Sequence, residues 1–130
     1  MSNTPQRQVI ASDTAPKAIG PYSQAIRYGD LVFTAGQIPL DYRTGEIVPG
    51  GIEAQTRQVM TNLRSILEAA GSSLDRVVKT TVFMVDLADF GKMNAVYGEF
   101  FPAGPPARST VQVTALPRGA LLEIECVATA

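Results

Sequence analysis

Arg76-Val77-Val78-Lys79-Thr80-Thr81-Val82-Phe83-Met84-Val85 is the stretch on which the fold turns. β-Branched and aromatic residues dominate it, the composition of a strand. Side chains alternate along a strand. Here both faces are apolar: Val78, Val82 and Met84 on one, Val77, Phe83 and Val85 on the other. Such a strand is expected to be covered on both sides. A helical pattern flanks it at each end. Upstream, Ile52, Val59, Leu63, Ile66, Leu67 and Ala70 recur at helical spacing, with Gln55, Arg57, Gln58, Thr61, Asn62 and Arg64 largely off that stripe. Gly71 is placed to end this helix. Downstream, residues 89–101 carry Phe90, Met93, Tyr97, Phe100 and Phe101 on one face, and Pro102 with Gly104-Pro105-Pro106 stops the helix.

Working outward, residues 6–11 read as a strand and residues 12–21 as a loop. Residues 23–28 and 31–36 flank Gly29-Asp30 and form a hairpin signal. Residues 37–51 carry Pro39, Gly45, Pro49, Gly50 and Gly51, which is loop chemistry. Residues 107–113 and 121–128 are the last strands, joined through Pro117 and Gly119 and expected to pair with each other. The order is β-β-β-α-β-α-β-β without repeat or linker. It predicts one domain over residues 1–130, of α+β class, with a mixed six-stranded sheet and two helices on one face. The helix-free face then needs a cover for Phe83 and Val85. Another subunit supplies one more simply than the long loops do, because loops rarely pack over a whole sheet face.

Composition narrows the chemistry. With 11 basic and 12 acidic residues and a net charge of −1, there is no basic stripe for nucleic acid, and none is expected as a partner. No apolar run is long enough to span a bilayer, and no membrane partner is expected. Met1-Ser2-Asn3-Thr4-Pro5 lacks the blocks of a signal peptide, and the lone Cys126 forms no internal disulfide, so a cytoplasmic setting is expected. The chain has no histidine, which removes imidazole bases and ligands and every Ser-His or Cys-His nucleophile pair. No metal site is expected. Catalysis is left to carboxylates, arginine, tyrosine, amides, backbone groups and water.

Strand parity suggests where those groups converge. Val111 and Val113 share one face of their strand, and Arg108, Thr110 and Gln112 the other. Leu122, Ile124, Cys126 and Ala128 alternate with Glu123 and Glu125. If the apolar sets face the helices, Arg108 and the glutamates share the helix-free face. Arg108 is then expected to point into a crevice between subunits, beside a carboxylate. The same pair also reads as an interface salt bridge. Tyr22, in Gly20-Pro21-Tyr22-Ser23, reads by itself as an ordinary packed loop tyrosine. Gly36 reads as a turn or as a place where a ligand touches backbone. Asn94, one residue past Met93, reads by itself as a solvated residue at the edge of the apolar stripe. Cys126 reads as a small buried hydrophobe.

The motifs Ala18-Ile19-Gly20-Pro21-Tyr22-Ser23-Gln24-Ala25, Ala35-Gly36-Gln37-Ile38-Pro39, Val78-Lys79-Thr80-Thr81-Val82-Phe83, Asn94-Ala95-Val96-Tyr97, Pro106-Ala107-Arg108-Ser109-Thr110-Val111 and Leu122-Glu123-Ile124-Glu125 resemble, in order, those of the RidA (YjgF-like) reactive-intermediate deaminases. The resemblance implies a chorismate-mutase-like fold and a homotrimer with sites between subunits. It implies a cofactor-independent 2-iminobutanoate/2-iminopropanoate deaminase. The substrates would be 2-iminopropionate and its enamine 2-aminoacrylate, which pyridoxal-phosphate enzymes release, and the products pyruvate and ammonia. Position by position, Arg108 matches the arginine that binds the substrate carboxylate. Glu123 matches the glutamate that handles water or a proton. Tyr22, Gly36 and Asn94 match residues that line the cleft. Two departures stand out: the segment from Pro102 to Pro105 is short, which bears on substrate range, and Thr110 stands where cysteine is common.

A trimeric protein that senses small carboxylates or keto acids is a rival reading of the same residues. Related sequences have also been described as translation inhibitors or ribonucleases, and the charge balance and missing histidine argue against that chemistry here.

Overall fold

The computed structural model describes residues 4–130; Met1, Ser2 and Asn3, on which the reading of the N-terminus partly rests, lie outside them. Strand β6 (Val77–Met84) runs between β8 (Leu122–Thr129) and β7 (Ala107–Gln112). The sheet continues from β8 to β3 (Leu31–Thr34), β2 (Ala25–Tyr28) and β1 (Arg7–Ile10), giving the order β1-β2-β3-β8-β6-β7. Among the described residues only β6 and β7 pair in parallel, so the sheet is mixed. Helices α1 (Ile52–Ala69) and α2 (Phe90–Glu99) pack together, and their buried side chains join those of one sheet face in a common core, the α+β arrangement expected. The region read as loop between β3 and α1 also holds a two-strand ribbon, β4 (Leu40–Asp41) and β5 (Glu46–Ile47).

The core lies between helices and sheet. Met60, Leu63, Ile66, Leu67, Val82, Met84, Met93, Leu122 and Ile124 are among its fully buried members. Each contributes roughly 1.5–3 kcal/mol by leaving water. Helix α1 ends as its glycine predicts: Gly71 takes φ 80°, and the Ser72 N–H donates to the Leu67 carbonyl at 2.8 Å. Two polar residues expected off the apolar stripe are buried instead. The Asn62 amide donates to the Ile38 and Leu40 carbonyls at 3.3 and 2.9 Å, and Gln55 Oε1 accepts the Leu121 N–H at 2.9 Å. Both bind backbone groups of segments far away in the sequence.

Three expectations about the sheet are overturned. First, β7 does not pair with β8; it is an edge strand beside β6. A strand reached through a crossover helix returns parallel to the one it left, and here that neighbour is β6. Second, Val77 and Val78 exchange environments. The register shifts between Val77 and Lys79, leaving Val77 buried and Val78 exposed. A bulge of one residue inverts parity on one side of it. Third, the polar side chains of β7 do not lie on the helix-free face. Thr80, Val82 and Met84 are buried on the helix side, and their registered partners on β7 are Arg108, Thr110 and Gln112. Registered neighbours point the same way.

The helix-free face is apolar and open within one chain. Val9, Tyr28, Leu31, Phe33 and Val111 are all exposed, and the register puts them on one side of the sheet with Phe83, Glu123 and Glu125.

Candidate active site

The first group of candidate residues gathers where β3 ends. Beyond Thr34 the chain continues beside β8, and Gln37 and Ile124 exchange backbone hydrogen bonds of 2.9 and 3.1 Å. That exchange presses Gly36 against Glu123. A β-carbon on residue 36 would stand 2.7 Å from the Glu123 carboxyl carbon and 2.9 Å from its Oε2. Position 36 is therefore glycine for want of space, since its φ is not in the left-handed region. Burial, and then the neighbouring Glu125, push the Glu123 carboxyl above the ordinary carboxylate value.

Tyr22 stands on the opposite wall, half exposed, its hydroxyl accepting the Ile19 N–H at 3.3 Å. Together Tyr22, Gly36 and Glu123 border a cavity of about 330 Å³ whose remaining lining includes Ile19, Ile38 and Pro117. Buried Gln24 holds the loop that carries Tyr22. Its Nε2 donates to the Pro16 carbonyl at 2.7 Å, with longer bonds to Ser12 and Ala15, and its Oε1 accepts the Ser12 N–H.

The second group lies on the other side of the sheet. Arg108 reaches toward α2, where its guanidinium carbon is 4.8 Å from the Tyr97 ring centroid and 5.4 Å from that of Phe90. Both lie within cation–π range. Phe90, Asn94 and Tyr97 follow one another at helical spacing and so share one stripe of α2. Asn94 Oδ1 on that stripe is buried and has no hydrogen-bond partner. Tyr97 is buried, and its hydroxyl is 2.7 Å from Thr80 Oγ1. Burial raises the phenol's pKa, against the opposing pull of Thr80 and the Arg108 charge.

The structure thus joins Tyr22, Gly36 and Glu123 in one cavity and puts Asn94 on the stripe that Arg108 packs against. It does not join the groups. Arg108 and Glu123 lie on opposite faces of the sheet, contrary to expectation. Parity misled because the valines of β7 belong to the open face and not to the core. Among the described residues Arg108 forms no ion pair, so the salt-bridge reading fails within the chain as well. Cys126 is buried beside Thr34, and burial lifts its thiol to about 11, as suits an inert core cysteine. Gln24, Thr80 and Tyr97 went unrecognised as site-building residues. For Tyr97 a signal existed: a phenol on a core-facing stripe needs a partner. Among the described residues there is no cluster of three or more His, Cys, Asp or Glu suited to a metal, and no helix is long and apolar enough to cross a membrane.

A family model described as endoribonuclease L-PSP matches residues 12–130. The chain belongs to this family. It is the RidA (YjgF-like) family that the motifs resemble. A RutC family protein of Pyrococcus horikoshii is 56% identical over 122 residues, covering 94% of this chain and 97% of that protein. The 2-iminobutanoate/2-iminopropanoate deaminase of Mus musculus is 47% identical over 122 residues, covering 94% of this chain and 90% of that one. Among solved structures, Escherichia coli TdcF with bound serine superposes with a TM-score of 0.91 at 45% identity, over 95% of this chain and 98% of that one. At this similarity the chain shares its fold with that structure.

Proposed function

We propose that this chain hydrolyses reactive 2-imino acids and their enamine tautomers, 2-iminopropionate and 2-aminoacrylate among them, to 2-keto acids and ammonia in the cytoplasm, without a cofactor. Arg108 carries the reading. It is a partly buried guanidinium held against two aromatic rings, with no carboxylate beside it among the described residues. A guanidinium's planar fork matches a carboxylate through two parallel hydrogen bonds. The name of the mouse relative supports the same chemistry.

The active site is proposed to be composite. One protomer supplies Arg108 and Asn94, and its neighbour supplies Tyr22, Gly36 and Glu123. Two observations support this: the groups lie on opposite faces of one sheet, and the helix-free face is an exposed apolar surface in need of a cover. In a homotrimer every interface would join one half-site of each kind, giving three equivalent sites.

In such a site Arg108 fixes the substrate carboxylate, and the unpartnered Asn94 Oδ1 accepts an N–H from the substrate nitrogen. Glu123 takes a proton as water oxygen adds to the imine carbon and the C=N π pair moves to nitrogen. The C–N bond of the resulting carbinolamine then breaks as the carbonyl forms. Nitrogen leaves as ammonia: it holds the imine hydrogen, the proton returned by Glu123 after water adds, and the hydroxyl proton, which passes to it through Glu123 as the carbonyl forms. Positioning of this kind supplies up to roughly 7–11 kcal/mol of barrier reduction.

The test is pyruvate release from 2-aminoacrylate generated in place by a serine dehydratase. Wild type should accelerate it, Arg108→Ala should not, and Arg108→Lys should be poor because an ammonium has no fork. Near wild-type turnover by a folded Arg108→Ala oligomer removes the anchor role. Tight keto-acid binding with no acceleration by wild type would make the protein a carboxylate sensor instead.

A further inference from the structure

We infer that Tyr97, tethered by Thr80, is a positioning residue that sets the plane and reach of the Arg108 guanidinium. This rests on the deaminase reading of Arg108. An arginine that binds a carboxylate with two bonds must present its edge in a defined orientation, yet its long side chain does not hold one by itself. Arginines are commonly oriented by a carboxylate, and Arg108 has none among the described residues. It has rings instead. Phe90 and Tyr97 are two helical turns apart on α2, about 10.5 Å along the axis. The guanidinium carbon is 5.4 Å from one centroid and 4.8 Å from the other, so it rests between them.

Of the two rings, Tyr97 is the fixed one. Phe90 is exposed at the start of α2, whereas Tyr97 is buried and packs on Phe101 with ring centroids 4.9 Å apart. Its hydroxyl meets Thr80 Oγ1 at 2.7 Å, and Thr80 is the registered neighbour of Arg108 itself. The contact therefore closes a small loop: from Arg108 across the β7–β6 ladder to Thr80, through its hydroxyl to Tyr97, and back through the ring to the guanidinium. That loop ties α2 to an edge strand that has only one neighbour. A phenol whose pKa burial has raised stays neutral near pH 7 and leaves the full charge of Arg108 for a ligand.

Tyr97→Phe keeps the ring and loses the tether, Thr80→Val removes the tether from the other side, and Tyr97→Leu removes the ring. Steady-state kinetics on an imino acid and calorimetric titration with 2-ketobutyrate are run on each variant, with melting temperature and oligomeric state as controls. KM and the keto-acid Kd should rise together, about 3- to 30-fold for Tyr97→Leu. The rise should be smaller and equal for Tyr97→Phe and Thr80→Val, with kcat within about twofold throughout. The double variant Tyr97→Phe/Thr80→Val should be no worse than either single one, since both cut the same tether. Unchanged KM and Kd in Tyr97→Leu, or a loss confined to kcat and melting temperature, overturns the inference. Should Tyr97→Leu fail to fold, the near-isosteric Tyr97→Phe decides by the same criteria. If Arg108→Ala retains turnover, the deaminase reading has failed. If Arg108→Ala is dead while the Tyr97 variants bind normally, only the present inference has.

Discussion

Gly36 and Glu123 are packed so closely that the smallest side chain at position 36 would overlap the carboxyl group, 2.7 Å from its carbon. The clash falls on the Glu123 side chain from Cγ outward and not on backbone. Gly36→Ala should therefore fold with little loss of melting temperature while displacing the carboxylate. A displacement of about 1 Å at a reacting group costs on the order of 100-fold in rate, so kcat/KM should drop by about 10- to 100-fold. Wild-type kcat/KM in a folded Gly36→Ala protein would show that the carboxylate's place is immaterial.

Glu123 gives a pH signature in stability. Its carboxyl is raised by burial and by Glu125, so the folded state holds that proton more tightly than the unfolded chain does. Folding then favours the neutral form. The stabilisation is fully present below the unfolded value and is lost as pH rises through the raised folded value. Glu123→Gln never carries the charge. Its melting temperature relative to wild type should increase from pH 4 to pH 8, modestly because solvent screens a half-exposed group. A flat difference across that range would mean the carboxyl titrates normally. Activity should fall in the same variant if Glu123 handles the proton.

Gln24 is buried with hydrogen bonds to Ser12, Ala15 and Pro16. Gln24→Leu fills the space and leaves those backbone groups without a partner, at a cost of about 1–3 kcal/mol. The loop carrying Tyr22 should loosen, so limited proteolysis should cut between residues 12 and 22 sooner than in wild type. Unchanged cleavage kinetics would show that the loop is held by other contacts.

What was legible in the sequence was whatever periodicity and composition encode locally. The valine-rich β6, the apolar stripe of α1 and the glycine that ends it all lie where their chemistry puts them. Gly36 reads from the sequence as a turn or a ligand contact, and the structure adds a third reason for it, the close approach of the Glu123 side chain. Non-local pairing was not legible. Nothing within residues 107–113 says that they run parallel beside β6, and parity alone assigned Val111 to the core when it belongs to the open face. Asn62 and Gln55 misled for a related reason: a buried amide is disclosed by distant backbone groups that need it, here at Ile38, Leu40 and Leu121. The side on which Arg108 lies therefore had to come from the sheet, which separates it from Glu123 within the chain.

A composite site can be tested by mixing. Arg108→Ala and Glu123→Gln proteins are each expected to be inactive as homo-oligomers. When they are co-expressed with distinguishable tags, or unfolded and refolded together, random assembly puts an intact Arg108 opposite an intact Glu123 at about one quarter of the interfaces of a cyclic oligomer at equal mixing. Activity should recover to about a quarter of the wild-type level per protomer, since each interface site acts independently. A chain carrying both substitutions supplies neither half, so mixed with wild type it yields only intact and doubly defective or singly defective sites. That mixture should retain about a quarter of full activity as well, and no interface in it needs complementation. If Arg108 and Glu123 instead worked within one chain, the first mixture would stay inactive while the second retained about half. The contrast between the two mixtures, read as initial rates of keto-acid release above the residual rates of the single variants, separates the arrangements.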